Sequence, residues 1–173
     1  DDLDGGEGSA RRLDLAVEFE AAGVQLLGVQ ETRCRQKAAR VTGAFWTIPS
    51  PALANGTGGV DLWVAADLLS PRDKTLTEVV AADSRRLLVR FSIKSQRLAV
   101  LVAHALDSEW GAEGQRVWWD ETSQLLRHKR VAGLPLIVLI DANARVGSIV
   151  SSAVGAEGTN GRGDDGAHTG IRI

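Results

Sequence analysis

The apolar residues of this 173-residue chain come in short runs bounded by turn-forming residues. The longest run, Leu134 to Ile140, is far shorter than the roughly 20 residues that a membrane-spanning helix needs. Short runs flanked by Gly, Pro, Asn and Asp are typical of buried strands. We therefore predict strands over 24–29, 44–48, 60–65, 75–81, 86–93, 98–103 and 136–140.

A first helix is predicted over 10–22, with Ser9 as its N-cap and Gly23 as its stop. The spacing of Leu13, Ala16 and Val17 gives this helix one apolar face. Residues 1–8 are acidic and Gly-rich, so we interpret them as a flexible leader before a single domain over 9–173.

A second, longer helix is predicted over 109–131, where apolar residues repeat at intervals of seven before Gly133. Strands outnumber helices, and Asp83-Ser84 has the chemistry of a hairpin turn. The sequence therefore favours an α+β fold in which sheet packs on sheet and both helices lie outside.

Composition narrows the possible environments of the chain. Hydrophobic residues make up 44% and charged residues 24%, an ordinary globular mixture. Cys34 is the single cysteine, which excludes an internal disulfide and fits a reducing compartment. The N-terminus has no signal-peptide pattern, so we expect an intracellular protein, nuclear or cytoplasmic. The absence of methionine and the abrupt last residues predict a piece of a longer reading frame.

The formal net charge of −2 predicts no general attraction to nucleic acid. A local exception is a stretch of eight residues without an acid that carries Arg33, Arg35, Lys37 and Arg40. Such a cluster is either a solvated face or a contact for phosphate.

Polar side chains follow three of the predicted strands. Glu31 ends the first, His104 ends the second, and Asp141 with Asn143 ends the third. Carboxylates on rigid strand ends suit Mg²⁺, which binds one or two of them and keeps several waters. An Asp near an Asn suits a general base beside a positioning group. The same residues also fit solvated strand ends and an Asx-turn.

Three strings resemble motifs of the endonuclease/exonuclease/phosphatase superfamily, in the same order along the chain. They are LLGVQETR, GGVDLWV and LIVLIDANARVG. The QETR and DANARVG forms are most similar to the apurinic/apyrimidinic-like endonuclease domains of non-LTR retrotransposons. The resemblance implies a four-layer α/β/β/α sandwich of two mainly antiparallel sheets, and a Mg²⁺-dependent hydrolase of phosphodiesters with DNA as its partner. From the short apolar runs we expect no membrane association, and we infer no obligate protein partner.

The resemblance also implies roles for individual residues. Glu31 would bind Mg²⁺, or Mn²⁺, while Asp141 would activate the attacking water and Asn143 would position it. His104 falls where the family usually has a tyrosine, and histidine can still donate to a phosphate oxygen. The residues expected to bind the substrate phosphate are Arg33, Arg35 and Asn160.

Two motifs of the family lie outside these 173 residues, namely its N-terminal asparagine strand and its C-terminal SDH segment. We therefore expect a truncated domain with little nuclease activity of its own. One alternative is an inactive, decayed module that keeps the fold and some contact with nucleic acid. A second alternative is a phosphatase or ribonuclease of the same superfamily.

Overall fold

The computed structural model of the chain describes residues 6–93 and 96–143. Three α-helices lie in this part of the chain: α1 (Gly6–Ala21), α2 (Pro71–Thr75) and α3 (Gly111–Leu126). The strands are β1 (Leu26–Gln30), β2 (Arg40–Thr42), β3 (Phe45–Ser50), β4 (Val60–Ala65), β5 (Glu78–Ala82), β6 (Arg86–Ile93), β7 (Gln96–His104) and β8 (Leu136–Asp141).

The strands form two four-stranded sheets. The first has the order β1-β4-β3-β2 and is antiparallel throughout. The second has the order β5-β6-β7-β8, and its last pair, β7 with β8, is parallel. The predicted α+β fold with two mainly antiparallel sheets is therefore confirmed. Because β7 and β8 are parallel, their carboxyl ends lie side by side at one edge of the second sheet.

The two sheets pack face to face over one apolar core. Buried side chains from both sheets meet in it: Ile48, Val60, Leu62, Val64, Leu87, Val89, Phe91, Val100 and Val102. A Cβ built on Gly28 would lie 2.7 Å from the Leu139 Cβ and 3.1 Å from the Val102 Cγ1. Gly28 is therefore the point at which β1 approaches the second sheet too closely for any side chain.

Helix α1 covers the other face of the first sheet, where Ala16 packs with Phe45 and Trp63. The predicted apolar face of this helix is partly wrong. Ala16 is fully buried, but Leu13 and Val17 are 49% and 62% exposed. The buried face runs instead through Arg12, Leu15, Ala16 and Phe19. Because the charged residue Arg12 lies on the buried face, the spacing of apolar residues predicted a different face.

Arg12 forms a buried ion pair with Asp61 of β4. The pair is 3% and 0% exposed, and the Arg12 guanidinium lies 5.6 Å from the centre of the Trp63 ring. Trp63 Nε1 also donates to Asp61 Oδ2 at 3.4 Å. Burial raises the pKa of the Asp61 carboxyl, while the positive charge of Arg12 acts in the opposite direction. This ion pair fixes α1 to the sheet.

By contacts the chain divides into two compact units. Among the described residues, the first unit contains 6–93, 96–104 and 127–141, and the second contains 105–126 and 142–143. In the second unit, Asp107 begins a single 3-10 turn by accepting a hydrogen bond from Glu109 N at 3.0 Å. Helix α3 comes next and buries Trp118 and Thr122.

Helix α3 is shorter than the predicted 109–131. It ends at Leu126, and residues 127–134 form turns in the first unit. Arg127 to Arg130 contribute no apolar side chain to extend a helical face. Arg130 is drawn instead into an ion pair with Glu78 of β5. The prediction that this helix lies outside the sheets stays a prediction.

Three local features differ from the sequence prediction. Helix α1 begins at Gly6, so Ser9 lies within it and is no N-cap. Strand β2 was not predicted, because three residues are too few to show alternation. Helix α2 was not predicted either, although its capping box between Ser70 and Asp73 is readable in the sequence. None of the described helices is long and apolar enough to span a bilayer.

Candidate functional site

Strand β1 stops being regular at the QETR motif. Glu31 and Arg33 adopt left-handed backbone conformations, with φ angles of 50° and 52°. The chain there is held by hydrogen bonds from Thr32 N to Gly59 O at 3.0 Å and from Arg33 N to Gly58 O at 2.9 Å. Non-glycine residues adopt such angles only when the surrounding structure imposes them, and they are frequent at functional sites.

Gly58 and Gly59 allow three chain segments to meet at this place. A Cβ on Gly58 would lie 2.6 Å from the carbonyl oxygen of Ser84, and one on Gly59 would lie 2.7 Å from Thr32 Oγ1. Gly59 N in turn donates to Ser84 O at 2.7 Å. A side chain at Gly58 would push this segment away from the turn between β5 and β6, and one at Gly59 would push it away from the end of β1.

The parallel pairing of β7 with β8 places His104 directly beside Asp141. His104 Nε2 lies 4.0 Å from Asp141 Oδ2, and His104 Nδ1 lies 3.9 Å from Glu31 Oε1. The imidazole is largely buried, whereas the Glu31 and Asp141 side chains are 60% and 55% exposed. The structure thus brings three of the predicted site residues together, with both carboxylates open to solvent.

Asn143 belongs to the second compact unit. Its side chain donates from Nδ2 to the carbonyl oxygen of Ala105 at 2.6 Å, and its φ angle is 46°. Glu31, Arg33 and Asn143 are the three non-glycine residues with positive φ in the described part of the chain. All three fall in the QETR and DANA motifs.

Two of the three predicted phosphate-binding residues lie in the described part of the chain. Arg33 and Arg35 are exposed in the segment after β1, where Arg35 lies beside Gly56. Asn160 lies outside the described residues. Arg40, from the same basic cluster, is oriented towards the buried Cys34 and donates to its Sγ at 3.5 Å. The role of Arg33, Arg35 and Asn160 stays a prediction.

The sequence reasoning missed one residue of this site, Arg85. Its Nη1 atom lies 3.5 Å from Nδ1 of His104. The antiparallel register of β6 with β7 pairs Arg86 with Ala103, so Arg85 falls opposite His104. The hairpin at Asp83-Ser84 was predicted, but the distant pairing that puts its next residue beside His104 cannot be read from local sequence.

The donors present fit a weakly held, hydrated divalent cation. No group of three or more His, Cys, Asp or Glu side chains that could hold a metal occurs among residues 6–93 and 96–143. Mg²⁺ does not require one, since it is usually bound through one or two carboxylates and retains several waters. Glu31 and Asp141 offer two such carboxylates on rigid strand ends.

The chain is similar in structure to an AP endonuclease. The solved structure is that of the AP endonuclease LMAP from Leishmania major, with a TM-score of 0.59 and 16% sequence identity. The similarity covers 83% of this chain and 53% of that one, so the chain spans about half the length of that enzyme. At this identity the likeness shows the fold.

No protein-family model matches the sequence. Nor does the sequence match any curated protein.

Proposed function

We propose that the chain carries the centre of a Mg²⁺-dependent phosphodiester hydrolase that acts on DNA, of the retroelement endonuclease type. One observation carries the proposal: two solvent-exposed carboxylates, Glu31 and Asp141, each come within about 4 Å of the same imidazole, His104. The QETR and DANARVG motifs support the retroelement type, and the fold shared with an AP endonuclease supports DNA as the substrate.

Glu31, Asp141 and His104 have different roles in the proposed reaction. Glu31 holds the cation, Mg²⁺ or Mn²⁺, which when bound supplies positive charge to the phosphate. Asp141 orients the attacking water and accepts its proton. His104 donates a hydrogen bond to a phosphate oxygen, where charge builds up during in-line attack. His104 suits this role because its imidazole is already buried between its neighbours before substrate binds.

Asn143 has a positioning role in the proposal. Its side-chain amide is tied to the carbonyl oxygen of Ala105, the residue directly after His104. Its own backbone comes two residues after Asp141. By the resemblance of the DANA motif, Asn143 is proposed to position the attacking water. Arg33 and Arg35 are proposed to contact the DNA backbone nearby.

Metal binding is the first test. Isothermal titration of Mg²⁺ and of Mn²⁺ is expected to show weak binding to the wild type and none to Glu31→Gln. Glu113→Gln is the matched control, because Glu113 is an exposed glutamate on α3. Equal binding by the wild type and Glu31→Gln would place the cation elsewhere.

Plasmid nicking is the second test. Any nicking by the chain is expected to require Mg²⁺ and to fall to the level seen with chelator in Asp141→Ala. Nicking that persists in Asp141→Ala or without metal would refute the proposal. DNA binding without metal-dependent nicking would agree equally with the inactive module and with the truncated domain of little activity that the sequence predicts. Cleavage of RNA or of small phosphate esters but not of DNA would support the other alternative.

A further inference from the structure

The turn between β5 and β6 is held rigidly beside the candidate site. Asp83 Oδ1 accepts a hydrogen bond from Arg85 N at 2.8 Å, and Asp83 N donates to Arg86 O at 2.8 Å. On the other side, His104 N donates to Arg85 O at 2.9 Å. The backbone of Arg85 is therefore bonded through both its N–H and its C=O.

The same turn is also tied to the first sheet. Ser50 Oγ donates to Asp83 O at 2.5 Å, and Gly59 N donates to Ser84 O at 2.7 Å. The last residue of β3 and the residue before β4 thus also hold the turn. Because this backbone is already constrained, binding of a ligand by a side chain of the turn does not have to order the backbone as well.

The Arg85 guanidinium points to the place where the candidate site residues meet. Its Nη1 lies 3.5 Å from His104 Nδ1, the same nitrogen that lies 3.9 Å from Glu31 Oε1. The Asp141 carboxylate lies 4.0 Å from the other ring nitrogen. One cation and two carboxylates therefore surround a single imidazole.

The neighbouring arginine behaves differently. Arg86 Nε donates to Asp83 Oδ2 at 2.7 Å, so its guanidinium turns back onto the hairpin. Two consecutive arginines in one turn therefore carry the same charge in different places. Arg86 is for this reason a matched control for any effect of charge alone.

We propose that Arg85 binds the phosphate on which the site acts, a step that rests on the proposed function. A phosphate that reaches Asp141 and Glu31 meets two negative charges, and a fixed cation at the same place offsets that repulsion. The planar guanidinium fork also matches two non-bridging oxygens of a phosphate. The ligand class is a phosphate group, as a diester in the substrate or as a free anion.

Inorganic phosphate is the probe in the test, at fixed pH, without divalent metal and at ionic strength held constant with chloride. The ring signals of His104 in proton NMR report on the site, and those of His128 serve as an internal reference. We expect His104 to shift with phosphate in the wild type and in Arg86→Gln. Arg85→Gln is expected to need on the order of tenfold more phosphate, since a hydrogen bond between charged groups contributes about that factor.

Arg85→Lys guards against loss of the fold and is expected to fall between the wild type and Arg85→Gln, because lysine keeps the charge without the fork. Equal phosphate affinity in Arg85→Gln and Arg86→Gln would overturn the proposal, as would no shift of His104 in the wild type. Because the measurement involves no turnover, its outcome does not depend on whether the protein cleaves DNA. A protein that binds phosphate through Arg85 but never nicks DNA refutes only the latter.

Discussion

The buried pair beneath α1 and the candidate site both hold carboxylates close to cationic or imidazole side chains, but they differ in how far water reaches those carboxylates. Asp61 is fully buried against Arg12, between α1 and the first sheet. Glu31 and Asp141 lie more than half exposed around His104. The side-chain chemistry is similar, but in one region water is excluded and in the other it is admitted.

The difference separates a structural carboxylate from one that is available for chemistry. Asp61 Oδ2 is occupied by Arg12 and by Trp63 Nε1. Glu31 lies instead on a segment that is held by backbone hydrogen bonds from Thr32 N to Gly59 O and from Arg33 N to Gly58 O. An exposed carboxylate on such a supported segment is fixed in position and can still exchange water for a ligand.

Breaking the buried pair is expected to have the largest effect on stability. Asp61→Ala leaves the Arg12 guanidinium buried without its counter-charge, which typically costs about 3–5 kcal/mol. Urea unfolding followed by circular dichroism measures this loss. Glu113→Ala breaks an exposed pair with Arg116 and is expected to leave the unfolding midpoint nearly unchanged. A similar small shift for Asp61→Ala would show that water reaches the buried pair.

The exposed carboxylates are expected to show the reverse pattern. Glu31→Gln and Asp141→Asn should each lower metal-dependent nicking by about 10²–10³, the usual loss for an electrostatic group of a hydrolytic site. Their urea midpoints should barely move, because exposed substitutions usually change stability by less than about 0.5 kcal/mol. If a variant lost both activity and stability, its carboxylate would have a structural role, as Asp61 does.

The sequence predicted the parts of the fold that depend on local pattern. Strands β4 and β6 were predicted with their observed ends, 60–65 and 86–93, and turn residues, Gly58-Gly59 and Asp83-Ser84, come shortly before each strand. The buried face of α1 was not predicted, since it includes Arg12, whose partner lies 49 residues away. Pairing at that distance leaves no periodic signal.

The candidate site shows the same limit. Glu31, His104 and Asp141 were selected as strand ends and by motif, and their proximity is observed. Arg85 was missed because its position depends on the register of β6 with β7. The left-handed backbone of Glu31 could not be predicted either, because no residue type in QETR requires that conformation.

Substitution of Gly28 is expected to have an effect of intermediate size, and it tests how closely the two sheets pack. Gly28→Ala would force a Cβ to within 2.7 Å of the Leu139 side chain in the core between the sheets. Overpacking of this kind costs about 1–3 kcal/mol. Thermal unfolding measures it, and Gly114→Ala on α3, with 3.5 Å to its nearest neighbour, is the control. Unchanged stability of Gly28→Ala would mean that the sheets move apart easily.

The smallest expected effect is a pH dependence that belongs to Asp61 alone. Burial raises its pKa above 3.8, with Arg12 acting against that rise. The folded state therefore holds this proton more tightly than the unfolded state does. The stability due to the raised pKa is fully present below pH 3.8 and is lost as the pH rises through the folded pKa.

The measurement is the difference in unfolding free energy between the wild type and Asp61→Asn, whose amide does not titrate. This difference cancels the contributions of the exposed carboxylates, including Glu31 and Asp141. We expect it to shift against the wild type as the pH increases from acidic values towards neutrality. A shift in favour of the wild type would mean that attraction to Arg12 outweighs desolvation, and that Asp61 is held as a better ion than an exposed carboxylate.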